Sequence, residues 1–151
     1  RSRGLGDVYK RQGHGHHTSM ALALSHTTVN AIDPFAQSRW WADLLGYHED
    51  PQDPNGAGQQ ECLILSPDES HRILFIEVAD VKVGRNRVHF DLRPTDRSRD
   101  EEIQRVRGMG AVVVQDCRES DGRGWVVMAD PEGNEFCILR SDAERRSAGD
   151  L

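Results

Sequence analysis

The sequence predicts an α+β protein in which two tandem βαβββ modules form a cup-shaped mixed β-sheet with the helices outside. Two observations favour this class. A histidine (His26, His89) and a turn proline (Pro67, Pro131) recur at offsets of 63 and 64 residues. Each copy also has the pattern of one strand, one helix and three further strands. Two copies of this length indicate a duplicated domain, because a solenoid needs at least three shorter repeats.

The first copy begins with a strand, predicted at residues 22–32 from their apolar residues and paired threonines. Asp33 and Pro34 then predict the N-cap and first turn of a helix, and Gly46 predicts its end. Turn-forming segments follow and separate short apolar runs. These runs predict three further strands, at residues 47–50, 61–65 and 72–78.

The second copy repeats this order. Residues 87–93 alternate apolar and polar side chains and predict a strand, and the acidic residues Asp96 and Asp100 predict the start of a helix. The remaining strands are predicted at residues 112–114, 125–128 and 135–139. The apolar side chains expected to lie between helix and sheet are Trp41, Leu44, Leu45, Ile103, Val106 and Met109.

The domain is expected to span residues 21–140, with module one at 21–81 and module two at 85–140. Residues 1–20 are rich in glycine and histidine and have no apolar period, so we interpret them as a tag-like or disordered leader. The alternative is a His-rich metal-binding tract. Residues 141–151 form a polar, charged tail that is expected to fray.

Composition excludes some classes of protein. The net charge of −6 argues against binding to nucleic acid through phosphates. No apolar run approaches the ~18–20 residues that a membrane-spanning helix needs, so no membrane partner is expected. The three cysteines are an odd number at wide spacing, which is no disulfide framework and indicates a reducing, cytoplasmic location.

The order of elements resembles the vicinal oxygen chelate superfamily, also called the glyoxalase/bleomycin-resistance/dioxygenase fold, and within it a glyoxalase-like subgroup. The resemblance covers about residues 22–140. Its most frequent signature here is the Asp-Pro-Glu-Gly-Asn turn before an apolar strand. The segments that carry it are 26–29 (HTTV), 33–34 (DP), 40–47 (WWADLLGY), 86–92 (NRVHFDL), 108–113 (GMGAVV) and 130–137 (DPEGNEFC).

The resemblance implies four inner positions for metal ligands, two His and two Glu. His26 and His89 fall on the histidine positions, and Cys137 replaces the last Glu. The other Glu position falls on Ile76, or on Glu77 if the strand is shifted by one residue. Such donors suit a divalent Zn, Ni or Fe. Because only weak candidates fill two positions, the protein is not expected to hold a tight four-ligand metal. The alternatives to a role as ligands are that the histidines are only hydrogen-bonded and that the cysteine is only a small buried apolar residue.

Strand alternation predicts a polar set that faces the cup. Asp91 beside His89 would tune the imidazole for proton transfer. His26 and His89 are expected to approach each other across the cup. The full set expected to bind a ligand is His26, Thr28, Asn30, His89, Asp91, Arg93, Trp125 and Cys137.

Several functions are compatible with these residues. The first is a glyoxalase-like protein that binds a small polar or oxygenated molecule in the cup and acts as a lyase or isomerase. The alternatives are a non-catalytic protein of the bleomycin-resistance type, which sequesters a ligand, and a metal-dependent dioxygenase or glyoxalase. A homodimer is expected, since members of this superfamily often pair and the edge strands need cover.

Overall fold

The computed structural model describes residues 21–151; residues 1–20, the expected leader, lie outside the described residues. Seven strands and three helices follow one another in the described part of the chain. They are β1 (Thr27–Ala31), α1 (Pro34–Leu45), β2 (Glu61–Leu65), β3 (Arg72–Glu77), β4 (Asp91–Leu92), α2 (Arg99–Gly108), β5 (Val112–Arg118), β6 (Gly124–Ala129), β7 (Glu135–Ile138) and α3 (Asp142–Ser147). We call β1–β3 with α1 module one, and β4–β7 with α2 module two.

The strands lie in two sheets, with the orders β1-β3-β2 and β4-β7-β6-β5. In each module the first strand pairs in parallel with the last, and the last pairs antiparallel with the strand before it. The predicted α+β class is therefore confirmed, with two mixed sheets. The strand predicted at residues 47–50 is wrong: it is a single bridge between His48 and Leu65, since the chain turns at Pro51.

Two other predicted strands are shorter than expected. β1 begins at Thr27, and Leu22 and Leu24 before it are almost fully exposed. β4 contains only Asp91 and Leu92, since these are the residues that pair with β7. A strand ends where its backbone pairing with a neighbouring strand ends. An alternating apolar pattern alone does not create that pairing.

The helix termini agree with their sequence signals. The Asp33 carboxylate accepts a hydrogen bond from the Ala36 amide at 3.0 Å, and Gly46 ends α1 with a φ of 68°. In α2 the N-cap is Ser98, and Glu101 completes a capping box with it. The acidic residues of the first turn, among them Asp100, favour the positive end of the helix dipole.

One hydrophobic core joins the two modules. Trp41 of α1 packs edge-on against Phe90 and Phe136 of module two, with ring centroids 5.9 and 5.2 Å apart. Of the expected helix residues, four are buried and two, Leu45 and Met109, are partly buried against the core. The four buried residues are Trp41, Leu44, Ile103 and Val106.

The charged segment after residue 140, expected to fray, forms the short helix α3. Ser141 caps it, with Glu144 completing a capping box. The carboxylate of Asp150 then receives ion pairs from Arg123 and Arg140 at 2.8 and 2.7 Å. Local caps and ion pairs therefore order this segment although it buries no apolar side chain. Within residues 21–151, no helix is long and apolar enough to cross a membrane.

Candidate functional site

The pairing of β4 with β7 builds the candidate site. Asp91 lies directly opposite Cys137 in this parallel pair, so the two side chains share one face of the sheet. His89 is two residues before Asp91, and its Nε2 lies 3.3 Å from Asp91 Oδ1. One ligand atom from each of the three residues lies within 4.8 Å of the others. We call His89, Asp91 and Cys137 the triad.

The electrostatics of the triad favour a neutral thiol. Burial and the adjacent Asp91 carboxylate raise the pKa of Cys137 to about 11, against a smaller opposite effect of the Arg85 guanidinium. The thiol therefore stays protonated near neutral pH beside the Asp91 carboxylate. The imidazole and carboxylate remain accessible, with 43% and 55% of their side chains exposed.

The triad fits the donor chemistry of a divalent metal. Imidazole nitrogen, carboxylate oxygen and thiolate sulfur are all ligands of zinc, and three protein ligands with one open position are typical of catalytic zinc. Donors in such a site lie ~3–4 Å apart, given bond lengths of ~2.0–2.3 Å. In the structure the three donor atoms all lie within 4.8 Å of one another.

Two adjoining cavities meet at His89. The first, of about 450 Å³, lies between β1 and the segment before β4; the second, of about 520 Å³, lies over the triad. Asn86, His89 and Glu135 line both. Cavities of this size accommodate small organic molecules. The first is also lined by Thr28, Asn30, Asp80, Lys82 and Asn134, and the second by Arg85, Asp91, Trp125, Val127, Cys137 and Leu139.

The Glu135 side chain holds the segment that carries His89, and we call its contacts with Asn86 and Lys82 the clasp. The Glu135 carboxylate accepts a hydrogen bond from the Asn86 amide at 2.8 Å and pairs with the Lys82 ammonium at 3.0 Å. These contacts lower the pKa of Glu135, although burial opposes them. Because Glu135 is on β7, the linker between the modules is fixed to the strand that carries Cys137.

The Asp-Pro-Glu-Gly-Asn turn joins the site to module one. The buried Asp130 carboxylate accepts hydrogen bonds from Gln37 Nε2, Trp41 Nε1 and Asn134 Nδ2 at 2.8–2.9 Å. The Glu132 carboxylate accepts the amides of residues 32 and 33 at 2.7 and 3.1 Å, just after β1. The turn therefore fixes the position of β1 and its cavity-lining residues relative to β7.

The structure brings most of the expected ligand-binding residues to these cavities. Thr28 and Asn30 line the first cavity, His89 lines both, and Asp91, Trp125 and Cys137 line the second. The other two, His26 and Arg93, line neither cavity.

His26 precedes β1, is exposed, and contacts the neighbouring Ser25 hydroxyl at 2.9 Å. Arg93 lies beyond β4, where alternation no longer applies, and donates to the Arg140 carbonyl. Glu77 is exposed at the end of β3, away from the triad. Of the four weak metal candidates, the structure therefore unites only His89 and Cys137.

Sequence reasoning missed four residues of the candidate site and one role. Arg85, Asn86 and the Lys82–Glu135 pair were not singled out, and Asp91 was not considered as a metal ligand. The sequence contained a signal for Asp91. Parallel pairing of its own strand with the strand that carries Cys137 would place the two residues opposite each other. No local pattern marks Arg85, since its position depends on the path of the linker.

Comparison with known proteins decides the family. The sequence model of the glyoxalase-like domain matches residues 26–139. The chain belongs to the glyoxalase-like domain family. It is thereby a member of the vicinal oxygen chelate superfamily, as its motifs predict. Comparison with curated proteins gives no significant match.

Solved structures share the glyoxalase-like fold. The fosfomycin resistance protein FosX from Listeria monocytogenes, in a variant complexed with Mn(II) and 1S,2S-dihydroxypropylphosphonic acid, is 20% identical with a TM-score of 0.62, covering 84% of this chain and 96% of that one. FosX from Mesorhizobium loti is 18% identical with a TM-score of 0.60, covering 85% and 99%. A hypothetical protein from S. aureus is 18% identical with a TM-score of 0.56, covering 79% and 94%. At these identities the likeness establishes the fold alone.

Proposed function

We propose that this glyoxalase-like protein binds a small polar or oxygenated molecule between its modules and acts on it as a lyase or isomerase. The observation that carries the proposal is the position of His89 at the junction of two cavities, each large enough for a small organic molecule. Hydroxyl, amide, imidazole and carboxylate groups surround the space, which suits hydrogen bonding to an oxygenated ligand.

The chemistry that fits these residues is proton transfer by His89. An imidazole can accept and return a proton, and a neighbouring carboxylate holds its orientation. The Asp91 carboxylate, 3.3 Å from His89 Nε2, is placed for this role. Removal of a proton beside a carbonyl or hydroxyl group is the step that lyases and isomerases share.

A metal-dependent reaction is the second candidate, because the triad supplies three donors for one ion. His89, Asp91 and Cys137 would hold Zn, Ni or Fe, and FosX from Listeria monocytogenes is complexed with Mn(II). When bound, such an ion supplies a Lewis acid that polarises a substrate oxygen. The expectation that no tight four-ligand metal is held stays a prediction.

Ligand-observed NMR with hydroxyacetone as the probe tests the binding proposal. His89→Ala is expected to weaken binding about tenfold or more, since the central contact is lost. His48→Ala is the matched control, because His48 has the same side-chain exposure of 43% and also faces a carboxylate, at 3.7 Å, yet lines neither cavity. Equal binding by the wild type and His89→Ala would contradict the proposal.

Elemental analysis of the full chain separates the two candidates. The metal-dependent candidate requires about one equivalent of Zn, Ni or Fe that is lost in both His89→Ala and Cys137→Ser. Comparison between variants of the same chain cancels any metal bound by the histidines of residues 14–17. Metal content that does not change in these variants eliminates the second candidate and leaves metal-free proton transfer.

We also propose a homodimer and a cytoplasmic location. The valines of β5, the edge strand of the second sheet, are 43–60% exposed, and a second copy would cover them. Cys62, Cys117 and Cys137 are all free, which suits a reducing compartment. Light scattering at micromolar concentration tests the dimer, and a monomer alone would contradict it.

A further inference from the structure

The cavity over the triad contains one cation, Arg85, that no carboxylate of residues 21–151 neutralises. Lys82, at the edge of the first cavity, pairs with Glu135 at 3.0 Å. Arg85 lines the second cavity, and among the described residues no carboxylate lies within ion-pair distance of it. Its described hydrogen bond is a long one of 3.4 Å to Gln115 Oε1. Most of its five N–H donors therefore face solvent or a ligand.

The acidic groups of the same cavity are already engaged. Glu135 accepts from Lys82 and from the Asn86 amide, and Asp91 faces the His89 imidazole and the Cys137 thiol. Neither is paired with Arg85. The guanidinium is therefore free to bind an anionic group, and a planar carboxylate matches its two parallel N–H donors.

One aromatic side chain, that of Trp125, lies on the same face of the sheet as Cys137. Trp125 is two residues before Val127 on β6, and Val127 lies opposite Cys137. The Trp125 side chain is 43% exposed, while Val127 is buried beneath the cavity. An exposed indole on the floor of a cavity offers a flat apolar surface to a planar ligand.

We propose that the cavity over the triad selects a planar organic acid, whose carboxylate pairs with Arg85 and whose planar part packs on Trp125. This inference rests on the proposed function, because it names the ligand class of the same site. It makes Arg85 and Trp125 the residues that determine specificity. If such an acid carries a further oxygen-bearing group, that group would face His89.

Benzoate and its neutral isostere benzamide test the proposal by calorimetric titration of the full chain. The wild type is expected to bind benzoate about tenfold more tightly than benzamide. Arg85→Gln should remove this preference and leave benzamide binding unchanged. Arg87→Gln is the matched control, since Arg87 is an exposed arginine two residues away that lines neither cavity. Trp125→Leu should weaken both probes together.

The outcomes separate this inference from the function on which it rests. If benzamide binds as well as benzoate, or if Arg85→Gln and Arg87→Gln have the same effect, the anion selection is wrong. His89-dependent binding of hydroxyacetone would still support the proposed function in that case. If none of the three probes binds at millimolar concentration, both proposals fail. An unchanged affinity of Trp125→Leu for both probes would overturn the packing on the indole.

Discussion

The two modules share one strand arrangement and differ in the chemistry it carries. In module two, Asp91 lies opposite Cys137; at the matching places 63 residues earlier, module one has Thr28 opposite Leu74. His26, the counterpart of His89, precedes the strand, and within residues 21–151 its side chain hydrogen-bonds only to its neighbour Ser25. The same register therefore places a carboxylate beside a thiol in module two and a hydroxyl beside an apolar side chain in module one.

The turns before the last strand of each module differ in the same way. In module two, Asp130 accepts side-chain hydrogen bonds from Gln37 and Trp41 of module one. In module one, the matching Ser66 contacts only its own turn, through Asp68 and the His71 amide. One turn thus joins the modules, while the other closes a local loop.

The largest expected effect is on stability, when Asp130 is changed. Asp130→Ala leaves several buried donors without an acceptor, and we expect it to lower the free energy of unfolding by about 3–4 kcal/mol. Ser66→Ala should cost only about 1 kcal/mol, because its partners keep other hydrogen bonds. Denaturant unfolding measures both. Similar costs for the two variants would show that the turn of module two is not the stronger connection.

A second comparison concerns the buried thiols. Burial raises the pKa of Cys62 in module one, while burial and the Asp91 carboxylate raise that of Cys137 to about 11. Asp91→Asn should lower the pKa of Cys137 and speed its alkylation at pH 8. The rate should rise by up to about tenfold for each unit by which this pKa falls. The rate for Cys62 should not change. Mass spectrometry of iodoacetamide-labelled peptides measures both, and equal rates before and after the substitution would contradict the assigned contact.

The third comparison uses matching turn positions in which the backbone is left-handed. Module two has Gly133 with a φ of 90°, and module one has Glu69 with a φ of 59°. Gly133→Ala is expected to cost about 1 kcal/mol, because only glycine adopts this conformation without strain. Glu69→Gly should relieve strain and change stability by less than about 1 kcal/mol. Thermal unfolding of both variants measures the difference, which a large loss in Glu69→Gly would contradict.

The smallest expected effect is an acid transition. Arg123 and Arg140 lower the pKa of Asp150 to about 2, whereas Ser70 and Ser66 lower that of Asp68 to about 2. Because both folded-state values lie below the usual 3.8, their stabilisation is present at higher pH and lost as pH falls towards 2.

Salt distinguishes the two carboxylates. High salt should raise the pKa of Asp150, because its partners are charges, and leave that of Asp68 nearly unchanged. Carboxyl NMR chemical shifts between pH 5 and 2 measure both values. An equal response to salt would show that the ion pairs of Asp150 do not hold it.

Local signals predicted the elements that depend on local physics. The cap at Asp33, the stop at Gly46 and the Asp-Pro-Glu-Gly-Asn turn each act within a few residues, and the structure places them as expected. The offset between the copies also predicted the common order of strands. The limits of β4 were not predictable, because they depend on which residues reach β7.

The site was predictable only in part for the same reason. His89 and Cys137 follow from the resemblance, although β4 begins only after His89. The partnership of Asp91 with Cys137 depends on a register between strands 46 residues apart, and the position of Arg85 depends on the clasp around Glu135. His26 was expected to face His89, but strand alternation has no force before β1 begins.

The cross-module contacts of α1 have a consequence for synthesis of the chain. Trp41 packs against Phe90 and Phe136, and its indole N–H donates to Asp130 at 2.9 Å. A nascent chain that has reached only residue 81 lacks all three partners. Module one would leave the ribosome with an exposed indole whose N–H is bonded only to water. Its helix is therefore expected to settle late, after the final strand has emerged, so that the first half synthesised is the last to finish folding.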